Sequence, residues 1–336
     1  MQAETSARLS ALAHSFGSRR ILVVGDLMLD EFIWGKVSRI SPEAPVPIVN
    51  VTGESYYPGG AANVARNLKE FTAHVAIMGI AGADAAGDRL LGLLANAGID
   101  TAAVQRNPSL DTVTKTRIIA RNQQVVRVDR ERKAALSETE TAHAIAQLDA
   151  IAPTVDAIVV ADYGKGFVTQ ALADHLCRSA REHGKILTVD PHPHTSLNWS
   201  GVTAVKPNRL EAFLAAAIPP SEPVMPVLAD EALLEVGRRL RRRWQARDLL
   251  ITLGENGMLL LTGDAPPSHM PTRAKEVFDV SGAGDTAIAV LTLGLAAGAT
   301  PAEAAELANR ASGIAVGKLG TATVTPAELQ ASLQTR

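Results

Sequence analysis

The chain has 336 residues, 46% of them hydrophobic and only 4% aromatic, with 33 lysines and arginines against 35 aspartates and glutamates. That near-neutral balance offers no bulk attraction to nucleic acid or to an anionic membrane surface. The Ala/Leu/Val-rich composition describes helices packed on a parallel sheet, and the length suits one large α/β domain with an appendage.

The N-terminal stretch MQAETSARLSALAHSFGSRR reads as a short amphipathic helix without the uninterrupted apolar segment of a signal peptide. RILVVGDLMLDEFIWG begins as a wholly apolar strand and breaks at Gly25 and Asp26, the pattern of a central parallel strand ending at a site. In KVSRISPEAPVPIVNVTGESYYPGG, Pro42, Pro45 and Pro47 with alternating Val and Ile predict extended edge strands that leave the main sheet. A helix over 61–70 follows, then the strand HVAIMGIAG and the helix DAAGDRLLGLLANAG, stopped by Gly98. TVTKTRIIARNQQVVRVDRE reads as a β-hairpin with Asn122 and Gln123 near its turn.

After Ser137 the strands VDAIVVADYG, KILTVDPH, VTAVKPN, DLLITLGENG and GMLLLTG alternate with helices. This rhythm predicts a three-layer αβα fold with right-handed crossovers. The chain is expected to form one domain over 1–336, with a small β-sheet lid from inserted segments near 36–57 and 112–129. TAIAVLTLGLAAGA is shorter than the ~20 residues of a membrane span and reads as a buried core helix. Cys177, the one cysteine, sits in the helical pattern TQALADHLCRSARE and reads as a small buried hydrophobe. With no disulfide framework, a soluble cytoplasmic protein is expected.

Polar or glycine residues end successive strands: Gly25 and Asp26, Asp162, Asp190, Lys206 and Asn208, Thr252 and Gly254. Ligands of open α/β sheets sit at the carboxyl ends of the strands, so the series predicts a cleft there. In YYPGGAANVARNL, Gly59 and Gly60 open a helix and permit close backbone approach, while Asn63 one turn in can hold hydroxyls; a simple turn before a helix is the plainer alternative. No stretch fits the dinucleotide G-x-G-x-x-G pattern or the P-loop.

AVKPNRLE places Lys206 at a strand end, suited to phosphate oxygens. Asn208 and Glu211 are spaced to hold a hydrated Mg²⁺, or equally to cap a helix. PHPHTS, 191–196, has no carboxylate or cysteine at ligand spacing, which argues against zinc. RRLRRRW, 238–244, reads as a solvated helix face rather than a nucleic-acid patch. In DVSGAGDT, Gly282, Ala283 and Gly284 run into a helix start, whose first N–H groups can offset charge on a phosphoryl group in transfer. Asp285, one residue on, is placed to take a proton from an attacking hydroxyl.

PGGAANVARNL and DVSGAGD, in this order and spacing, resemble the two signatures of the PfkB (ribokinase-like) family of sugar kinases, and the resemblance extends over about residues 18–325. It implies a ribokinase-like fold and transfer of the γ-phosphate of Mg·ATP to a sugar hydroxyl. It also implies Asp285 as catalytic base and Gly282–Gly284 as anion hole. By the same resemblance Asn208 and Glu211 match the N-x-x-E motif of the Mg·ATP site, with Glu211 serving the metal through water. The nucleotide is expected along Thr252, Gly254 and Gly257, near Lys206; Asp30, Gly59, Gly60 and Asn63 should face the sugar. The lid should also make a homodimer interface.

GDLMLDEFIWGKVSRISPEAPVPIV and VADYGKG are similar to the branch of the family that phosphorylates D-glycero-β-D-manno-heptose 7-phosphate at C1, toward ADP-heptose and lipopolysaccharide. For the phosphate already on such a substrate, Lys165 and the hairpin arginines Arg121 and Arg127 are the candidates by position and charge; a solvated strand face is the alternative for each arginine. Many members of this branch carry a nucleotidyltransferase domain with an H-x-G-H motif. None occurs here, so the resemblance implies that this later step belongs to another protein. The rival readings are another kinase of the family, acting on fructose phosphate, ribose or a nucleoside, and a non-catalytic sugar or nucleotide sensor.

Overall fold

The computed structural model describes residues 2–121, 123–131 and 135–334. Helix α1 (Gln2–His14) leads into β1 (Arg20–Gly25), β2 (Leu27–Ile40) and β3 (Pro47–Gly60). Then follow α2 (Ala61–Lys69), β4 (His74–Gly82), α3 (Ala85–Asn96) and β5 (Asp100–Asn107). β6 (Thr114–Ala120) and β7 (Gln123–Arg130) make a hairpin; Asn122, expected at its turn, lies outside the described residues. Next are α4 (Glu138–Ile151), β8 (Ala157–Ala161), α5 (Gln170–Glu182), β9 (Ile186–Asp190), β10 (Ala204–Val205), α6 (Arg209–Ala215) and α7 (Glu231–Trp244). The chain closes with β11 (Asp248–Thr252), β12 (Met258–Thr262), β13 (Ser268–Met270), α8 (Ala283–Ala296), α9 (Pro301–Ala315) and α10 (Pro326–Gln334).

Among the described residues, the main sheet runs β13-β12-β11-β10-β9-β8-β1-β4-β5. It is parallel from β11 to β5 and antiparallel at β12 and β13. The expected alternation with helices fails between β11 and β12, which are joined by a tight reversal. Gly254 and Gly257 take φ of 60° and 82° there, a region open to glycine and strained for other residues. Helix starts follow from side chains that satisfy first-turn N–H groups. Asp84 accepts from the Gly87 N–H at 2.8 Å, and Ser137 with Glu140 and Thr300 with Glu303 form reciprocal capping boxes.

Alternate residues of β1 feed two cores, which is why its sequence is apolar throughout. Ile21 and Val23 pack with α1, α2, α8, α9 and α10, while Leu22 and Val24 pack with α4, α5, α6 and α7. Full burial of each such side chain contributes about 1.5–3 kcal/mol. The result is a three-layer αβα domain. Cys177 lies buried in the second core, and burial pushes its thiol up to about 11, leaving it protonated.

A second sheet, β3-β2-β6-β7, springs from the strand ends. β2 restarts one residue after β1, and β3 runs into α2 at Gly60, so these strands reach deeper than the expected 36–57 boundary. Arg238 and Arg242 pair with Glu235, and Arg241 and Arg243 donate to the Gly263 and Ala215 carbonyls. Much of the basic run on α7 is therefore engaged by the protein's own groups. No helix among the described residues is long and apolar enough to cross a membrane.

Candidate active site

In sheet order, β11, β10, β9, β8 and β1 are consecutive neighbours, so Thr252, Lys206, Asp190, Asp162 and Asp26 stand in a row at one edge. Helix α8 presents its first turn to this row. Gly282 caps α8 with φ 80° and no side-chain acceptor; the Ala283 N–H reaches the Val280 carbonyl at 3.3 Å, and the Gly284 and Asp285 N–H groups have no partner among the described residues. A Cβ on Gly282 would lie 3.1 Å from Asn63 Nδ2, and one on Gly284 would lie 3.5 Å from Lys206 Nζ. The two glycines thus sit between an amide and an ammonium.

The asparagines of PGGAANVARNL explain how α2 and α8 are joined. Asn63 and Asn67 are four apart and share a helical face. Asn67 donates to the Asn63 carbonyl at 2.9 Å and accepts from Thr286 Oγ1 at 2.7 Å. That locks the first turn of α8, and Asn63 Nδ2 then donates to Asp285 Oδ2 at 2.6 Å. Asn63 is buried and its Oδ1 has no hydrogen-bond partner among the described residues, an acceptor left open beside the carboxylate. Tyr163 donates its hydroxyl to Asp285 Oδ1.

Asp285 keeps part of its surface open to the cleft, yet burial pushes its carboxyl up to about 6. Hydrogen bonds from Tyr163 and Asn63 oppose that rise, the Asp190 charge adds to it and the Lys206 charge opposes it. Lys206, only 2% exposed, pairs with Asp190 at 3.0 Å. Burial pushes Asp190 up to about 6 as well, against the pull of Lys206.

Asn208 and Glu211 form the reciprocal cap of α6: Asn208 accepts from the Glu211 N–H at 2.9 Å, and Glu211 Oε2 accepts from the Asn208 N–H at 2.7 Å. Thr252 bridges to Asn208, its N–H on the Pro207 carbonyl at 3.0 Å. Lys206, Asn208, Glu211, Thr252, Gly254 and Gly257 therefore form one contiguous flank. Asn208 and Glu211 offer hard oxygens suited to a Mg²⁺ that keeps several waters.

The other flank is the small sheet. Asp30, 5% exposed, pairs with Arg117 at 2.5 Å. Its Oδ2 stands 2.3 Å from where a Cβ on Gly59 would be, and Gly60 turns into α2 with φ 59°. The register pairs Asp30 with Lys115, Phe32 with Arg117, Lys115 with Asp129 and Arg117 with Arg127, placing these side chains on one face. Burial lowers the pKa of the Lys115 ammonium, the Lys165 and Arg127 charges lower it further, and the Asp30 and Asp129 charges oppose them. Lys165 pairs with Glu131 at 2.5 Å, and Arg127 makes a two-pronged contact with Asp129. Arg117 also acts on Asp279: burial raises that carboxyl, but hydrogen bonds from the Ser281 and Gly320 N–H groups and the Arg117 charge hold it below its ordinary value.

Of the three cations chosen from sequence, Lys165 and Arg127 join this cluster and Arg121 does not. Arg121 stands at the outer turn, six residues and about 20 Å along the strand beyond Lys115, its guanidinium on the Val37 carbonyl at 3.0 Å. Sequence reasoning missed Lys115, Arg117 and Tyr163. The T-K-T-R alternation does put Lys115 and Arg117 on one strand face. Asp26 and Asp162, two of the polar strand ends from which the cleft was predicted, turn into loops: Asp162 accepts from the Gly164 N–H and from Thr195 Oγ1, 2.8 and 2.7 Å away.

The pfkB family carbohydrate kinase description matches residues 18–328. The "Bifunctional protein HldE" of Desulfatibacillum aliphaticivorans is 43% identical over 320 residues, covering 95% of this chain and 64% of that protein. Its namesake in Geobacter sulfurreducens is 42% identical over 324 residues, covering 96% and 64%. The chain thus spans less than two thirds of the length of these relatives. Among solved structures, Escherichia coli phosphofructokinase-2 in complex with potassium superposes with a TM-score of 0.73 at 20% identity, over 94% of this chain and 98% of that one. Arabidopsis thaliana ribokinase complexed with ribose and ATP gives 0.69 at 15% identity, over 95% and 99%. These two likenesses establish the fold as ribokinase-like. With the family match over nearly the whole length, the chain belongs to the pfkB family of carbohydrate kinases.

Proposed function

We propose that the chain transfers the γ-phosphoryl group of Mg·ATP to the C1 hydroxyl of D-glycero-β-D-manno-heptose 7-phosphate, giving the 1,7-bisphosphate. Asp285 takes the hydroxyl proton, and the N–H groups at Gly282–Gly284 with Lys206 offset charge on the transferring group. The nucleotide lies along Thr252–Gly257. Glu211 and Asn208 would hold Mg²⁺, which would supply neutralisation of phosphate charge. Asp30 and Asn63 take sugar hydroxyls. The observation that carries this reading is the pair of flanks around one carboxylate: a nucleotide-suited flank with Lys206, and a cationic sheet face suited to an acceptor that already bears a phosphate.

A coupled assay of ADP release over a sugar panel tests the substrate. Heptose 7-phosphate is expected to turn over with the highest kcat/KM, and the unphosphorylated heptose at least about 100-fold lower, the value of losing charge-assisted contacts to a phosphate. Equal turnover of phosphorylated and free sugars would remove the role of the cationic face. Preferred turnover of fructose 6-phosphate would keep the kinase and overturn the heptose assignment.

On the face of the small sheet opposite Arg117 and Arg127, Val126 and Val128 are exposed, and Ile40 and Val51 are exposed elsewhere on its strands, apolar side chains on strands open to solvent. We read this surface as a homodimer interface formed by the lid. Sedimentation equilibrium at micromolar concentration is expected to give twice the chain mass; a monomeric mass would contradict it.

A further inference from the structure

The loop after β8 carries Tyr163 and Lys165, and one buried side chain organises it. Asp26, 2% exposed, accepts backbone N–H groups from Tyr163 at 2.9 Å, Lys165 at 3.0 Å and Phe167 at 3.0 Å. Its own N–H donates to the Ala161 carbonyl, and its carbonyl accepts from the Ala61 N–H at the start of α2. One residue therefore fixes the loop relative to β8 and α2 together, its carboxylate holding the loop and its backbone holding β8 and α2. The loop puts the Tyr163 hydroxyl on Asp285 Oδ1, while Asn63 from α2 occupies Oδ2. The Asp285 carboxylate is held at both oxygens by donors whose backbones are tied to the same residue.

We propose that Tyr163 is a positioning residue for the base: its hydroxyl holds Asp285 ionised and oriented toward the sugar hydroxyl, and Asp26 sets where that hydroxyl stands. The proposal rests on the reading of Asp285 as the base. The charged and titratable groups around Asp285 are Tyr163, Asp190 and Lys206, with Glu211 acting from α6 on Asp190 and Tyr163. α2 contributes Asn63, and Ser312 of α9 holds the Ala283 carbonyl at 3.3 Å. Burial and the Asp285 charge push the pKa of Tyr163 well above its ordinary value, so the phenol keeps its proton and remains a donor. In the reaction the sugar O–H bond breaks and its proton goes to Asp285. The sugar oxygen bonds to phosphorus as the bond to the departing nucleotide oxygen breaks. Tyr163 donates a hydrogen bond to the ionised form of Asp285 and exchanges no proton.

A hydrogen bond to the charged form of a carboxylate lowers its pKa, so removing it moves the acidic limb of the kcat–pH profile upward. The profile is measured on the full chain with saturating ATP and sugar phosphate, for wild type, Tyr163→Phe, Asp285→Asn, and a protein with 3-fluorotyrosine at position 163. Tyr163→Phe is expected to raise the limb by about one unit, the worth of one bond to a charged group. Relative to wild type, its kcat then falls about fivefold at pH 6 and stays within about twofold at pH 8.5. 3-Fluorotyrosine, similar in shape and a stronger donor, moves the limb the opposite way. A uniform loss at every pH in Tyr163→Phe, or a limb that neither substitution moves, overturns the proposal. If Tyr163→Phe does not fold, the fluorinated protein decides alone, and an unmoved limb there has the same meaning. Full activity in Asp285→Asn instead defeats the assignment of the base itself, a failure visible separately from that of Tyr163.

Discussion

Asp285→Asn is expected to lower kcat by about three orders of magnitude, within the range typical of a lost general base, with nucleotide and sugar affinities little changed. The substitution keeps the shape, and its partners can adapt. Tyr163 can still donate to the new amide oxygen, and the Asn63 amide can flip so that its unpartnered Oδ1 accepts the new N–H.

The pH dependence has a definite sign. Burial holds the Asp285 carboxyl at about 6, so in wild type kcat is full above about pH 7 and falls about tenfold per unit well below pH 6. For stability the sign is reversed. The folded-state pKa lies above the ordinary carboxylate value, so the native state binds more protons than the unfolded chain between about pH 4 and pH 6. Stability contributed by this group is greatest below that window and is lost as pH rises through it. Asp285→Asn should therefore raise Tm at pH 8, by about 2 °C, and leave it unchanged at pH 4, which differential scanning calorimetry reads directly. An inactive variant that is also destabilised at pH 8 would mean that the loss is structural.

Lys115→Met is expected to raise KM for the sugar phosphate by about 10–100-fold, the worth of one charge-assisted contact, and to leave KM for ATP near its wild-type value. Lys115 is half-buried, lies in the field of Lys165 and Arg127, which the Asp30 and Asp129 charges offset in part, and makes no ion pair among the described residues. A desolvated cation beside other cations destabilises the free protein, and a bound phosphate reverses that effect. Its folded pKa is lowered, so the instability is full below the folded value, falls as pH rises from there toward the lysine's unfolded value, and is gone above it. The unliganded Met variant should accordingly melt no lower than wild type. Affinity of the wild type for the sugar phosphate should weaken as salt screens the cluster. Michaelis constants at two ionic strengths check both statements, and an unchanged KM for the sugar phosphate would remove Lys115 from the site.

Local pattern carried much of this architecture. The apolar run of β1, the apolar α8 and the polar strand ends are all visible in short windows, and the polar ends fall on adjacent parallel strands as the layered reading required. The glycines before α2 and α8 announced close approaches that the structure contains. What remained hidden depends on pairing between distant segments. Asp26 at a strand end looks like a ligand residue in sequence, but its carboxylate meets three N–H groups about 140 residues away. The alternation of Lys115 and Arg117 is legible, whereas the face that looks toward the cleft follows from the parallel register of β6 on β2. Arg121 carries the same charge and falls outside because the hairpin turn carries it outward. The contact of Tyr163 with Asp285 spans 122 positions and has no local signature.

The most direct test of the account is ³¹P NMR of the full chain incubated with Mg·ATP and D-glycero-β-D-manno-heptose 7-phosphate. The predicted result is one new phosphate ester coupled to the anomeric proton, growing in step with ADP, and absent with Asp285→Asn. An ester at another carbon, or ATP consumed with no new sugar ester, would contradict it.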